Sequence, residues 1–157
     1  MAGATPTITA CLARIVAIQE ALTITTPIAA SVTKAYTHFP SAEHELPGPR
    51  VWQNEWSMLP IEPARMMSTR DLTYQVRMQF LAAEANRDEM RSAAIATAFW
   101  EEALAAFCQD VGLNRTCTLA LLRGGDPTLG LIARAGKAYV GLEAFLDIRI
   151  ETAFLFS

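Results

Sequence analysis

Two alternating stretches constrain this chain more than anything else in it. In "DLTYQVRMQF", Leu72, Tyr74, Val76, Met78 and Phe80 alternate with Asp71, Thr73, Gln75, Arg77 and Gln79. In "YVGLEAFLDIRIETAF", Tyr139 to Phe154, the residues Leu142, Ala144, Leu146, Ile148 and Ile150 alternate with Glu143, Asp147, Arg149 and Glu151. An extended chain sends successive side chains to opposite faces, so both stretches are expected to be strands with one apolar and one charged face. The second is unusually long, spanning roughly 50 Å at the usual rise of a strand. A strand of that length overruns any cover that two helices can give. Its overhang must then be protected by another subunit or become an aggregation edge.

Two helices are expected beside these strands. "TPTITACLARIVAIQEAL" has Thr5 as a cap and Pro6 in the first turn, with Ile8, Leu12, Ile15, Val16 and Leu22 at helical spacing. The second runs from about Arg87 to Val111, with Asn86 as the cap and Glu89 three residues on. Its buried face is expected to hold Met90, Ala94, Ile95, Ala98, Phe99, Leu104, Phe107, Cys108 and Val111, with Gly112 as the stop. "SVTKAYTHFP" reads as extended and "TCTLALLRGG" as a further strand, while "RGGDPTLG" reads as a turn-rich loop.

Five of the eight prolines fall between Pro40 and Pro63, beside Trp52 and Trp56. Proline removes a backbone donor, so a regular central strand across this region is not expected, although "RVWQNEWSML" suits a short one. Two tryptophans are out of place in a linker. They either pack a loop down or anchor a partner, and Trp52 and Trp56 are taken as a partner-binding arm. The whole is one domain over residues 1–157, with a proline-rich excursion at about 40–68. With no βαβ alternation, the economical fold class is α+β: a mainly antiparallel sheet, two helices packed on one face, and a long C-terminal strand.

Chemistry is sparse in the sequence. A net charge of −3 leaves no basic footprint for nucleic acid or membrane. No apolar run is long enough for a membrane helix, and "MAGATPTITACLARI" lacks the pattern of a secretory signal, so synthesis in the cytosol is expected. Cys11, Cys108 and Cys117 form no CxxC pair and read as reduced thiols packed as small apolar groups. In "EHE", Glu43 and Glu45 would point away from His44 on a strand, so no metal site is expected there, and His38 stands alone. Neighbouring Glu101 and Glu102 read as a solvated helix face. No phosphate-binding glycine loop, nucleophile elbow or zinc-protease signature occurs, so neither catalytic residues nor a cofactor are expected.

Two short patterns carry a likeness. One is "AY-x-x-x-P" after the first helix, here Ala35, Tyr36 and Pro40. The other is "Y-x-G-x-E-x-x-L-x-I" in the last strand, here Tyr139, Gly141, Glu143, Leu146 and Ile148. With the order of elements, they make the chain resemble the tail terminator proteins of long-tailed bacteriophages. The resemblance implies a structural virion protein of the neck, not an enzyme, made in the host cytoplasm. Such proteins form a ring, with six subunits expected. The ring caps the tail tube protein, ends its polymerisation and meets the head connector or stopper, while DNA passes through the lumen without specific binding. Glu143, Asp147, Arg149 and Glu151 would then face the channel or a neighbouring subunit. A related head-tail connector or completion ring, and a cytosolic α+β domain that binds a small ligand, are the alternative readings.

Overall fold

The computed structural model describes residues 7–40, 49–58, 71–85, 88–117, 119–122, 128–134 and 136–151, with backbone alone at Asp71, Glu89, Thr128 and Glu151. In chain order the elements are α1 (Ile8–Glu20), β1 (Thr23–Ile24), β2 (Ala30–Ser31), β3 (Lys34–Tyr36), β4 (Val51–Met58), β5 (Asp71–Glu84), α2 (Glu89–Gln109), β6 (Leu119–Leu122), β7 (Thr128–Arg134) and β8 (Lys137–Glu151). The fold is α+β. β1 and β2 form a small ladder. The main sheet runs β3-β4-β5-β8, and β6 and β7 share the remaining edge of β8. β6 pairs with its C-terminal half and β7 with its N-terminal half. Every pairing in this sheet is antiparallel except β3 with β4.

The two alternating stretches became β5 and β8, adjacent and in register along nearly their whole length, from Asp71↔Glu151 to Glu84↔Tyr139. The predicted apolar faces coincide. Val76, Met78 and Phe80 are buried beside Leu142, Ala144, Leu146, Ile148 and Ile150. A bulge between Leu81 and Ala83 shifts the register opposite Gly141. A Cβ on Gly141 would lie 2.2 Å from the carbonyl oxygen of Phe80, so only glycine fits there.

Both helices cover the apolar face, α1 over β3 and β4 and α2 over β5 and β8. Trp52, Phe80 and Phe99 make a continuous aromatic stack from β4 through β5 to α2, with centroid separations of 4.8 and 4.9 Å. The cap of α1 is Thr7, whose hydroxyl accepts from the Ala10 N–H; the expected cap residues Thr5 and Pro6 lie outside the described residues. The cap of α2 is Asp88, accepting from the Arg91 N–H, and the expected Asn86 also lies outside them.

Three expectations are corrected. The buried stripe of α2 is Ser92, Ile95, Ala96, Phe99, Ala103 and Phe107, whereas Met90 is 86% exposed and Leu104, Cys108 and Val111 also face out. Alanine and serine let the helix lie close to the sheet, so its small residues, not all its large ones, mark the contact. α2 does not end on Gly112. It stops at Gln109, and Leu113, Asn114 and Arg115 take the left-handed conformation instead. Asp110 holds that turn: one carboxylate oxygen accepts from the Asn114 N–H at 2.8 Å and the other from Arg14 of α1 at 2.9 Å. Finally, the loop expected over "RGGDPTLG" already contains the first residues of β7, whose last residue, Arg134, pairs with Lys137 of β8 across a tight connection, with Gly136 at φ +74°. No described helix is long and apolar enough to cross a membrane.

Candidate functional site

β4 runs as a regular strand between β3 and β5, so the proline-rich excursion contributes to the main sheet. This separates the two tryptophans. Trp52 is fully buried in the core and belongs to no arm, correcting that expectation. Trp56 sits where the sheet runs out of cover, 46% exposed, with its ring edge-on to Tyr74 at 5.6 Å. The polar residue between them is the reason for the split: Asn54 is buried against α1. Its amide and that of Gln19 bond reciprocally at 2.8 and 3.0 Å, and Asn54 also donates to the Tyr36 carbonyl. Beyond Asn54, β4 is exposed on both faces.

The face of the sheet away from the helices is polar. Cross-strand register lines up Gln53, Gln79 and Glu143, then Glu55, Arg77 and Phe145, then Ser57, Gln75, Asp147 and Leu121. Of the predicted face residues, Glu143, Asp147 and Arg149 do share this face, as the backbone of Glu151 does, and Arg149 is the exposed one. A chain of bonds crosses three strands. Gln53 donates to Gln79 at 2.8 Å, and Gln79 donates to Glu143 at 2.6 Å. Arg77 reaches Glu143 through Nε and Nη2, both at 2.8 Å, and lies 3.6 Å from Glu55. Burial opposes the charge on Glu143, but the Gln79 amide and the Arg77 guanidinium outweigh it and hold the carboxyl below its ordinary range. A carboxylate so held is a fixed charge and a poor base.

Phe39, just past β3, folds onto this face. Its ring lies 5.3 Å from the guanidinium of Arg77 and 5.3 Å from that of Arg134. Arg134 also donates to the Pro40 carbonyl. These groups and Ile132 line a cleft of about 470 Å³. Sequence reasoning saw the polar residues of β5 but not which of them would meet Glu143, and it missed Phe39 entirely. Aromatic and arginine residues far apart in the chain give no local signal of such a stack.

The sheet is open at both sides. β3 pairs only with Val51–Gln53, so from Asn54 to Met58 the outer side of β4 has no strand partner among the described residues. Among the described residues β7 pairs with β8 alone. The tight turn makes Arg134 and Lys137 a hydrogen-bonded pair, so the alternate residues Leu129, Leu131 and Ala133 aim their backbone groups outward. Large apolar side chains stand exposed on both rims: Trp56 and Met58 on β4, Leu129 and Leu131 on β7, the last 67% exposed.

Cys11 and Cys117 are buried side by side, and Cys108 is exposed, so only two of the three thiols are packed as expected. A hydrogen bond from the Cys117 thiol lowers Cys11 to about 7 against the effect of burial, while that bond, burial and the neighbouring Cys11 push Cys117 up. The "EHE" of Glu43 to Glu45 lies outside the described residues, and His38 packs edge-on to Tyr36. Among the described residues no group of three or more His, Cys, Asp or Glu could hold a metal ion. No family model, no curated protein and no solved structure matches this chain.

Proposed function

We propose that the chain is a ring-forming neck protein of the tail terminator kind, which caps a phage tail tube and joins it to the head connector. The observation that supports this reading is the pair of open sheet rims. β4, β5, β8 and β7 alternate in direction, so β7 of one copy can lie antiparallel to β4 of the next without turning either copy over. The residues with outward backbone groups on β7 carry their side chains on the helix-covered face, as do Trp56 and Met58 on β4. Joining the rims therefore brings Trp56 and Met58 against Leu129 and Leu131 and shelters four exposed apolar groups. The contact is head-to-tail and satisfies every copy only when it closes into a ring. Helices then stand outside, and the face with Glu143, Asp147 and Arg149 lines the lumen. Its fixed carboxylates, partly offset by arginine, give phosphate little to hold.

Native mass measurement of the purified chain tests the ring, and six copies is the expected number. Capture by purified tail tube, compared with capture by head connector, tests the place in the neck. A chain that stays monomeric alone and in the presence of tail tube overturns the proposal.

A further inference from the structure

A second cavity, of about 430 Å³, lies where β4 begins, beside the bulge of β5 and the first turn of α2. Three locally unfavourable features meet on it. Arg50 is left-handed, at φ 63°, a conformation that costs a side-chain-bearing residue stability. Its backbone is fixed on both sides, by donation to the Leu81 carbonyl at 2.6 Å and acceptance from the Thr33 N–H at 2.9 Å. Its Nε is buried without an acceptor among the described residues. Arg91 stands in the first turn of α2, where the helix dipole disfavours a cation, and its side chain has no acceptor among the described residues. Rules broken together at one place mark a site.

Both arginines line the cavity with Ile28, Pro49, Ala83 and Ile95. We propose that it binds a carboxylate attached to an apolar body, the oxygens on Arg50 and Arg91 and the body against these apolar walls. A planar carboxylate matches the guanidinium fork, supplies the acceptor that Arg50 Nε lacks, and offsets the cation at the helix start. The other charged groups on the cavity are Glu84 and Asp88. Glu84 lies 3.4 Å from Lys137, and Asp88 is turned to the Arg91 backbone N–H. Two carboxylates on the wall disfavour a doubly charged phosphate more than a singly charged ligand. The site is independent of ring formation and lies on the helix-covered side, away from the Glu143 network.

The full chain is titrated by calorimetry and by NMR of the arginine Nε–H signals with benzoate, N-acetylleucine, N-acetylleucine amide and inorganic phosphate. The expected result is saturable binding of benzoate or N-acetylleucine at least tenfold tighter than phosphate, none of the amide, and a shifted Arg50 Nε–H. Tighter benzoate identifies a small carboxylate as the ligand class; tighter N-acetylleucine identifies a peptide terminus. Arg50→Gln and Arg91→Gln should each weaken binding at least tenfold with melting unchanged. Should Arg50→Gln fail to fold, Arg91→Gln on its exposed helix face carries the test. Equal binding of acid and amide, phosphate as tight as either carboxylate, an unmoved Arg50 signal, or wild-type affinity in Arg91→Gln overturns the proposal.

Discussion

Single atoms decide much of this fold. Asn54 and Gln19 fill each other's hydrogen-bonding needs inside an otherwise apolar layer. Removing Asn54 leaves the Gln19 amide buried without its partner, and removing Gln19 leaves Asn54 only its bond to the Tyr36 carbonyl; the first loss costs about 2 kcal/mol. Replacing both by leucine is expected to cost clearly less than the two single changes added together, as a denaturant double-mutant cycle will read. Gly141→Ala is harsher. Its methyl group would meet backbone, not a movable side chain, so a loss of about 3 kcal/mol or more is expected from the melting of the purified variant. Acid offers a third measure. Glu143 and Asp110 are both held below their ordinary values of 4.5 and 3.8. For Asp110, burial opposes the charge, while the Asn114 N–H and Arg14 more than offset it. A depressed carboxyl stabilises the fold above its unfolded value and loses that contribution as pH falls through its folded one. The melting temperature should therefore hold steady from neutrality to about pH 5 and drop below that, with a shallower drop in Glu143→Gln.

At the scale of elements, β7 offers the sharpest test. Leu131 aims its N–H away from β8 and Ile132 aims its N–H toward it. Leu131→Pro should leave a folded chain that no longer self-associates, whereas Ile132→Pro removes a ladder bond and should lower the melting temperature itself. Light scattering beside thermal melting separates the two, and a Leu131→Pro variant that still forms rings would remove β7 from the contact. β7 is also the element the sequence hid. Leu129, Leu131 and Ile132 place apolar groups on both of its faces, and Gly130 interrupts them, so no period-two signal survives. β5 and β8 were legible for the opposite reason: nearly every second residue is polar, and the faces found are the faces expected. α2 was legible in existence and in part of its buried face, where Ile95, Phe99 and Phe107 lie as expected, but the rest of the contact is made by alanines and a serine while Met90 points to solvent. Within the polar face, the composition could be foreseen, yet the bond from Arg77 to Glu143 depends on register across 66 residues of chain. The pairing that buries Asn54 likewise spans 35 residues, which local pattern cannot report.

For the whole molecule, the proposed ring makes the polar face a wall that DNA passes. Glu143 is tied into the sheet, so it is a poor position for testing that field. Asp147 lies half-buried on the same face, nearer the C-terminal end of β8. In the assembled protein, Asp147→Lys is expected to create DNA binding that weakens steeply with added salt, measured by fluorescence anisotropy at two ionic strengths. Rings of this variant that ignore DNA at low salt would place the face outside the lumen. The long pairing of β5 with β8 has a mechanical side as well. Force applied along these strands loads their bonds side by side, and they must fail together; force applied across them opens one pair at a time. A subunit standing with its strands along the axis of a conduit would be stiff toward thrust from the cargo moving through it. The same subunit would peel readily from its rim.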